Sequence, residues 1–112
     1  MRSSRVDPIQ LQNWIDLRLN EPITVTQIAE AFHISESYLF VLVKNLMGCS
    51  PVQFLTQRRM YHAANLLKTE KLMVGHIAGQ VGYADTAAFD KAFRKYFGVT
   101  PRQFRYEKNA RA

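Results

Sequence analysis

Apolar residues along this chain recur every three or four positions, and polar breaks divide them into about seven runs. Leu11, Trp14, Ile15 and Leu19 make one stripe, with Asp7 placed to cap it, Pro8 in its first turn and Asn20-Glu21-Pro22 to end it. Thr24 and Gln27 form a capping-box pattern ahead of a short helix through Phe32 that buries Ile28 and Ala29. After a tight turn, Ser35 caps a helix over about 36–47 that carries Tyr38, Leu39, Leu42, Val43 and Leu46 and stops at Gly48. Pro51 opens the longest helix, to about Lys68, with Phe54, Leu55, Ala63, Leu66 and Leu67 as its core positions. The pattern then starts again. A short helix runs from Val74 to Val81, Gly82 turns the chain, and Asp85 caps a helix over about 86–97 that Gly98 stops. Pro101 begins a last short helix around Phe104, before a polar, basic tail from Glu107.

The restart is literal. Gly48-Cys49-Ser50-Pro51-Val52-Gln53-Phe54 returns fifty residues later as Gly98-Val99-Thr100-Pro101-Arg102-Gln103-Phe104. Val25-Thr26-Gln27-Ile28-Ala29 returns after forty-nine as Val74-Gly75-His76-Ile77-Ala78. The one-residue change of offset falls in a turn, so one supersecondary element occurs twice. Each copy pairs a short helix with a longer one across a tight turn, the layout of a helix-turn-helix. Ala29 and Ala78, small residues early in each first helix, permit close crossing. The expected fold is all-α and homeodomain-like. An N-terminal helix and a first lobe occupy 1–50, a connecting helix 51–68, a second lobe 69–106, and a basic tail 107–112.

Composition narrows the partners. Hydrophobic residues make up 47% of 112, enough for a packed core. Fifteen Lys and Arg against nine Asp and Glu leave a formal charge of +6, which favours a polyanion, nucleic acid before an anionic membrane surface. The single cysteine excludes an internal disulfide and fits a reducing compartment. No apolar run nears the ~18 residues of a membrane span, and Met1-Arg2-Ser3-Ser4-Arg5 leads into no apolar stretch of a signal peptide. The expectation is a soluble, cytoplasmic protein with no membrane partner. An α-helix fits the B-form major groove, where base edges carry a distinct donor and acceptor pattern, so two such helices suit DNA.

The residues from about 8 to 106 resemble the DNA-binding domain of the AraC/XylS family of bacterial transcription regulators. The resemblance is carried by Ile28-Ala29, Ser35-Glu36-Ser37-Tyr38-Leu39, Lys44, Gly48, Ser50-Pro51 and Phe54. It continues through Arg59-Met60, Ala63, Leu66-Leu67, Ile77-Ala78, Val81-Gly82-Tyr83 and Asp85. Its densest part is the run from Phe89 to Arg105. It implies two recognition helices, about 36–47 and 86–97, entering successive major grooves roughly 34 Å apart, and a regulator, more often an activator, that touches RNA polymerase. Mapped onto this chain, the family's base-reading positions in the second lobe are Thr86, Ala87, Asp90 and Lys91, with Arg94 and Lys95 toward phosphate. Lys91 suits guanine, Thr86 and Ala87 a thymine methyl, and Asp90 either cytosine N4 or an ion pair with Lys91 or Arg94.

The first lobe departs from the family. Where an exposed polar residue and then an arginine are usual, Phe40 and Val41 stand, and neither can hydrogen-bond a base. They pack on thymine methyls or form a patch for protein. Ser37 remains for a base edge, and Ser35 and Lys44 for phosphate. The second lobe is expected to dominate specificity.

Other residues read plainly. His33, His62, His76 and Cys49 lack metal-ligand spacing and are surface or turn residues. Arg59 matches an arginine of the family pattern and is structural, paired with Glu30. Arg102, Arg105, Lys108 and Arg111 are either phosphate contacts or a solvated tail. No Ser-His-Asp set, glycine-rich phosphate loop or paired carboxylates suggest an enzyme, and no cofactor is implied. The expected function is sequence-specific, double-stranded DNA binding by a monomeric transcription regulator. The alternative is a protein-interaction module on this fold that engages RNA polymerase or another regulator through Phe40 and Val41, with weak, mostly nonspecific DNA binding. Most members of the family carry a separate effector-binding or dimerisation domain. This chain is a complete small regulator or a piece of a longer one, and Met1 does not decide which.

Overall fold

The computed structural model describes residues 6–111, with side chains described to residue 107. These residues form α1 (Pro8–Asp16), α2 (Val25–Ala31), α3 (Glu36–Met47), α4 (Pro51–Thr69), α5 (Val74–Gln80), α6 (Thr86–Phe97) and α7 (Pro101–Arg111). No strand occurs among them. Nor is any single helix among them long and apolar enough to cross a membrane. The chain divides into two compact units, Met1–Arg58 and Arg59–Ala112, with the boundary inside α4.

Local hydrogen bonds explain where the helices begin and end. Asp7 accepts from the Ile9 amide at the start of α1, and Thr24 and Gln27 close a reciprocal capping box on α2. Ser35 caps α3 through the Tyr38 amide at 3.0 Å. Asp85 caps α6 through the Ala88 amide at 2.7 Å. Gly48 and Gly98 stop these two helices in the left-handed region, at φ 78° and 85°, where a Cβ is strained and glycine is not. The last helix continues to Arg111, past the expected start of a tail at Glu107. No glycine or proline follows Phe104 to break it.

In the first unit, Leu11, Ile15, Ile28, Leu39, Val43 and Phe54 form the buried core. Trp14 packs edge-on to Phe32, and the Arg18 guanidinium lies 4.1 Å from the Trp14 ring centre. Tyr38 and Leu46 are exposed, which corrects their place in the apolar stripe of α3. Only Leu39 and Val43 on this helix are fully covered, so its buried face is narrower than its apolar content suggests. Arg58 in α4 grips Asp16 at the end of α1 with two bonds of 2.9 and 2.8 Å.

In the second unit, Met60, Ala63, Leu67, Ile77, Ala78, Val81, Phe89 and Phe93 are buried. Met60 and Ala64 join the core although neither was among the expected core positions of α4. Phe93 sits at the centre of a ring cluster, 5.7 Å from Phe89, 4.6 Å from Phe97 and 5.5 Å from Phe104. Each buried ring contributes roughly 1.5–3 kcal/mol by burial, with a further ~0.5–1.5 kcal/mol per well-placed ring pair. The cluster fixes α6 against α7 with one face inward, leaving the opposite face to solvent.

Candidate nucleic-acid interface

Within each unit a short helix braces a longer one. In the first, Thr26 Oγ1 of α2 donates to Glu36 Oε2 at the start of α3, at 2.7 Å. In the second, the matching approach is made without a side chain on α5. A Cβ on Gly75 would stand 3.1 Å from Thr86 Oγ1. Gly75 thus admits Thr86 at the crossing, and although Thr86 is exposed, its hydroxyl lies beside the α5 backbone. The pairs α2–α3 and α5–α6 are the two helix-turn-helix elements that the repeat predicted.

The expected contact residues fall on the exposed faces of α3 and α6. Ser37, Phe40, Val41 and Lys44 follow one another at intervals of three, one and three, which places them along one side of α3, away from Leu39 and Val43. Ala87, Asp90, Lys91 and Arg94 have the same spacing on α6, away from Phe89 and Phe93. Ala87, Lys91, Arg94 and Lys95 are exposed. Phe40 and Val41 are 50% and 53% exposed.

A shallow hollow borders each of these faces. In the second unit Asp90, Lys91, Arg94, Lys95 and Thr100 line it, a strongly basic surface. In the first unit the corresponding hollow is mostly apolar, lined by Val25, Phe40, Val41, Pro51 and Val52, with Ser37, Ser50 and Glu36 at its edge. One fold therefore presents two chemically different surfaces.

Two expectations for this region resolve differently. Asp90 makes no ion pair with Lys91 or Arg94, and its Oδ1 is buried with no hydrogen-bond partner. Ser35 uses its side-chain oxygen to accept from the Tyr38 amide, so only its hydroxyl hydrogen is left for a phosphate.

Three arginines turn out to be structural. Arg59 is 8% exposed, and its Nη1 donates to the Val81 carbonyl at 2.7 Å, capping the end of α5. Burial lowers its pKa from the ordinary guanidinium value, against a raising influence from Tyr83. Burial likewise raises the Tyr83 phenol, and Arg59 opposes that rise. Arg105, expected as either a phosphate contact or part of a solvated tail, is instead half-buried and bonded to backbone. It donates to the carbonyls of Leu67 at 3.2 Å and Glu70 at 3.0 Å, closing the end of α4. Arg58 is held by Asp16. Arg102 remains exposed on α7, whereas the side chains of Lys108 and Arg111, and the leader Met1–Arg5, lie outside the described residues.

One pair of features escaped the sequence reading although its signal was present. Ser50 with Gln53, and Thr100 with Gln103, form complete capping boxes at the starts of α4 and α7, every bond between 2.9 and 3.1 Å. The Ser/Thr-x-x-Gln spacing inside the repeated segment was the available clue. His76 bonds the Gln80 side chain, His33 occupies a turn at φ 57°, and Cys49 packs at the edge of the first core. Among the described residues no cluster of His, Cys, Asp and Glu is placed to hold a metal ion.

Braced second helices, twice in one chain, with a basic exposed face on at least one, define a double helix-turn-helix DNA-binding domain. The family model described as a helix-turn-helix domain matches residues 28–107. The chain belongs to this family and is a DNA-binding domain of the AraC/XylS type. It is 37% identical over 94 residues to the lactose operon transcription activator of Staphylococcus xylosus, a match covering 84% of this chain and 34% of that protein. Its fold follows the C-terminal domain of AraT, a response regulator from Geobacillus stearothermophilus, with a TM-score of 0.83 and 34% identity over 92% of this chain and 88% of that one. It also follows the DNA-binding domain of the global transcriptional factor AdpA, solved in complex with a target DNA. There the TM-score is 0.86 and the identity 28%, over 95% of this chain and 96% of that one. The chain spans about a third of the length of curated relatives that it matches.

Proposed function

We propose that this chain reads double-stranded DNA for a bacterial transcription regulator, placing α3 and α6 in successive major grooves. The observation that carries the reading is the exposed face of α6. Lys91, Arg94 and Lys95 supply positive charge there, Asp90 supplies an acceptor, and the phenylalanine cluster on the opposite side holds the helix rigid. Lys91 meets a guanine edge and Asp90 a cytosine N4 amino group. Arg94, Lys95, Lys44 and the Ser35 hydroxyl meet phosphates. Thr86 and Ala87 lie at the start of α6, near the bases, and Ser37 takes the matching place on α3.

Two recognition helices on one chain let a monomer read two adjacent grooves, so a second copy is not required. The role is regulation, on the model of the lactose operon activator, and not catalysis. It is exercised where the bacterial chromosome lies, in the cytoplasm. Activation further needs a contact with RNA polymerase, which this reading leaves to surfaces outside the two recognition helices. The rival reading, a module that uses α3 only for protein, is the less favoured, because the relatives and structural neighbours are DNA-binding regulators.

Selection from a random double-stranded library at physiological salt tests the proposal. Two enriched boxes about ten base pairs apart are the expected result. Absence of any enriched sequence would overturn it.

A further inference from the structure

We propose that the first recognition helix reads thymine methyl groups through Phe40 and Val41, making the two halves of the operator chemically unlike. The inference rests on the reading of α3 as a recognition helix and names what that helix recognises.

Phe40 and Val41 are about half exposed, and neither belongs to the core that Leu39 and Val43 complete. Fifty residues on, their counterparts in the repeat are Asp90 and Lys91, which line the basic hollow beside α6. The same fold position thus carries a hydrogen-bonding pair in one unit and an apolar pair in the other. A side chain without donors or acceptors can discriminate only one major-groove feature, the thymine C5-methyl group. Val52, 60% exposed at the start of α4, extends the apolar surface. The polar residues sit at its two ends. Ser37 stands one turn before the pair, within reach of a neighbouring base edge, and Lys44 one turn after it, toward phosphate. The acidic Glu36 at the rim already accepts from the Thr26 hydroxyl.

The basic character of the equivalent positions in the second unit, on a chain of net charge +6, favours DNA over protein as the occupant. Size agrees, since a stable protein interface uses roughly 20–30 residues a side, against the eight that line this hollow.

Thymine itself supplies the test, because deoxyuridine removes the methyl and leaves the pairing edge intact. Duplexes bearing the boxes selected above are synthesised with thymine, or with uracil in one box at a time. Uracil in the first box should weaken binding roughly fourfold for each contacted methyl, and more than tenfold for two. The double variant Phe40→Ser, Val41→Ser should bind the thymine and uracil duplexes equally. Both residues are exposed, so its thermal midpoint should stay near that of the parent, which separates lost contact from lost fold.

Equal binding of the two duplexes by the parent chain, or a first box that is never enriched, overturns the inference. So does a double variant that keeps the full preference for thymine, as expected if the patch served a protein. In all three cases a second box that depends on Lys91 leaves DNA reading by α6 standing. No enriched box at all removes both proposals together.

Discussion

Arg59 donates through Nη1 to the backbone carbonyl of Val81, 2.7 Å away, from a side chain that is itself buried. The bond joins α4 to the end of α5, where a helix leaves carbonyls without partners, and so fixes the short helix that braces α6. Arg59→Ala would leave that carbonyl dry and unpaired, at about 1–3 kcal/mol, and would also remove the packing of the arginine stem. We expect the urea midpoint to fall accordingly. Lys at this position should recover little of the loss, because an ammonium cannot reproduce the planar fork. A midpoint unchanged by alanine would mean that the bond is dispensable.

Asp90 keeps one carboxylate oxygen buried and unpaired in the free domain. Such a group destabilises the fold, and alanine is also the better helix former. Asp90→Ala is therefore expected to raise the stability of the free domain by about 1 kcal/mol while altering the base chosen opposite it. Calorimetry and repeated site selection check the two halves separately. A variant that is less stable would show that Asp90 serves the fold and not the site.

Lys91 and Lys95 should separate under salt titration. Lys91→Ala is expected to lose ~1–3 kcal/mol on a selected site and to relax base choice at one position. Lys95→Ala should weaken all sequences alike and reduce the slope of log affinity against log salt by about 0.9. Fluorescence anisotropy at several salt concentrations reads both. Identical behaviour of the two variants would contradict the split between base and phosphate contacts.

The two capping boxes repeated fifty residues apart should be of similar strength. Ser50→Ala and Thr100→Ala each remove the oxygen that receives the Gln53 or Gln103 amide. Each is expected to cost ~1 kcal/mol, seen as a lower thermal midpoint. Loss in one variant alone would indicate that water replaces the cap in the other.

Much of this molecule was legible from residue spacing. Caps and stops are interactions between residues two to five apart, so Asp7, Thr24, Ser35, Asp85, Gly48 and Gly98 mark helix ends correctly without knowledge of the fold. The duplication follows from identity at a fixed offset. The inward face of α6 follows from Phe89 and Phe93 at helical spacing.

Tertiary structure decided what depends on residues far apart in the chain. Arg58, Arg59 and Arg105 are alike in sequence, yet each finds a partner, Asp16, Val81 or Leu67, that lies 22 to 42 positions away. Only packing reveals that these cations are structural while Lys91, Arg94 and Lys95 face solvent. Packing alone also buried Met60 and Ala64, left Tyr38 and Leu46 outside, and sealed one oxygen of Asp90 from any partner. A local hydrogen bond closes through a few backbone torsions and is written in the nearby residues. The burial of a side chain depends on which distant helix covers it, and that is set only when the whole unit packs.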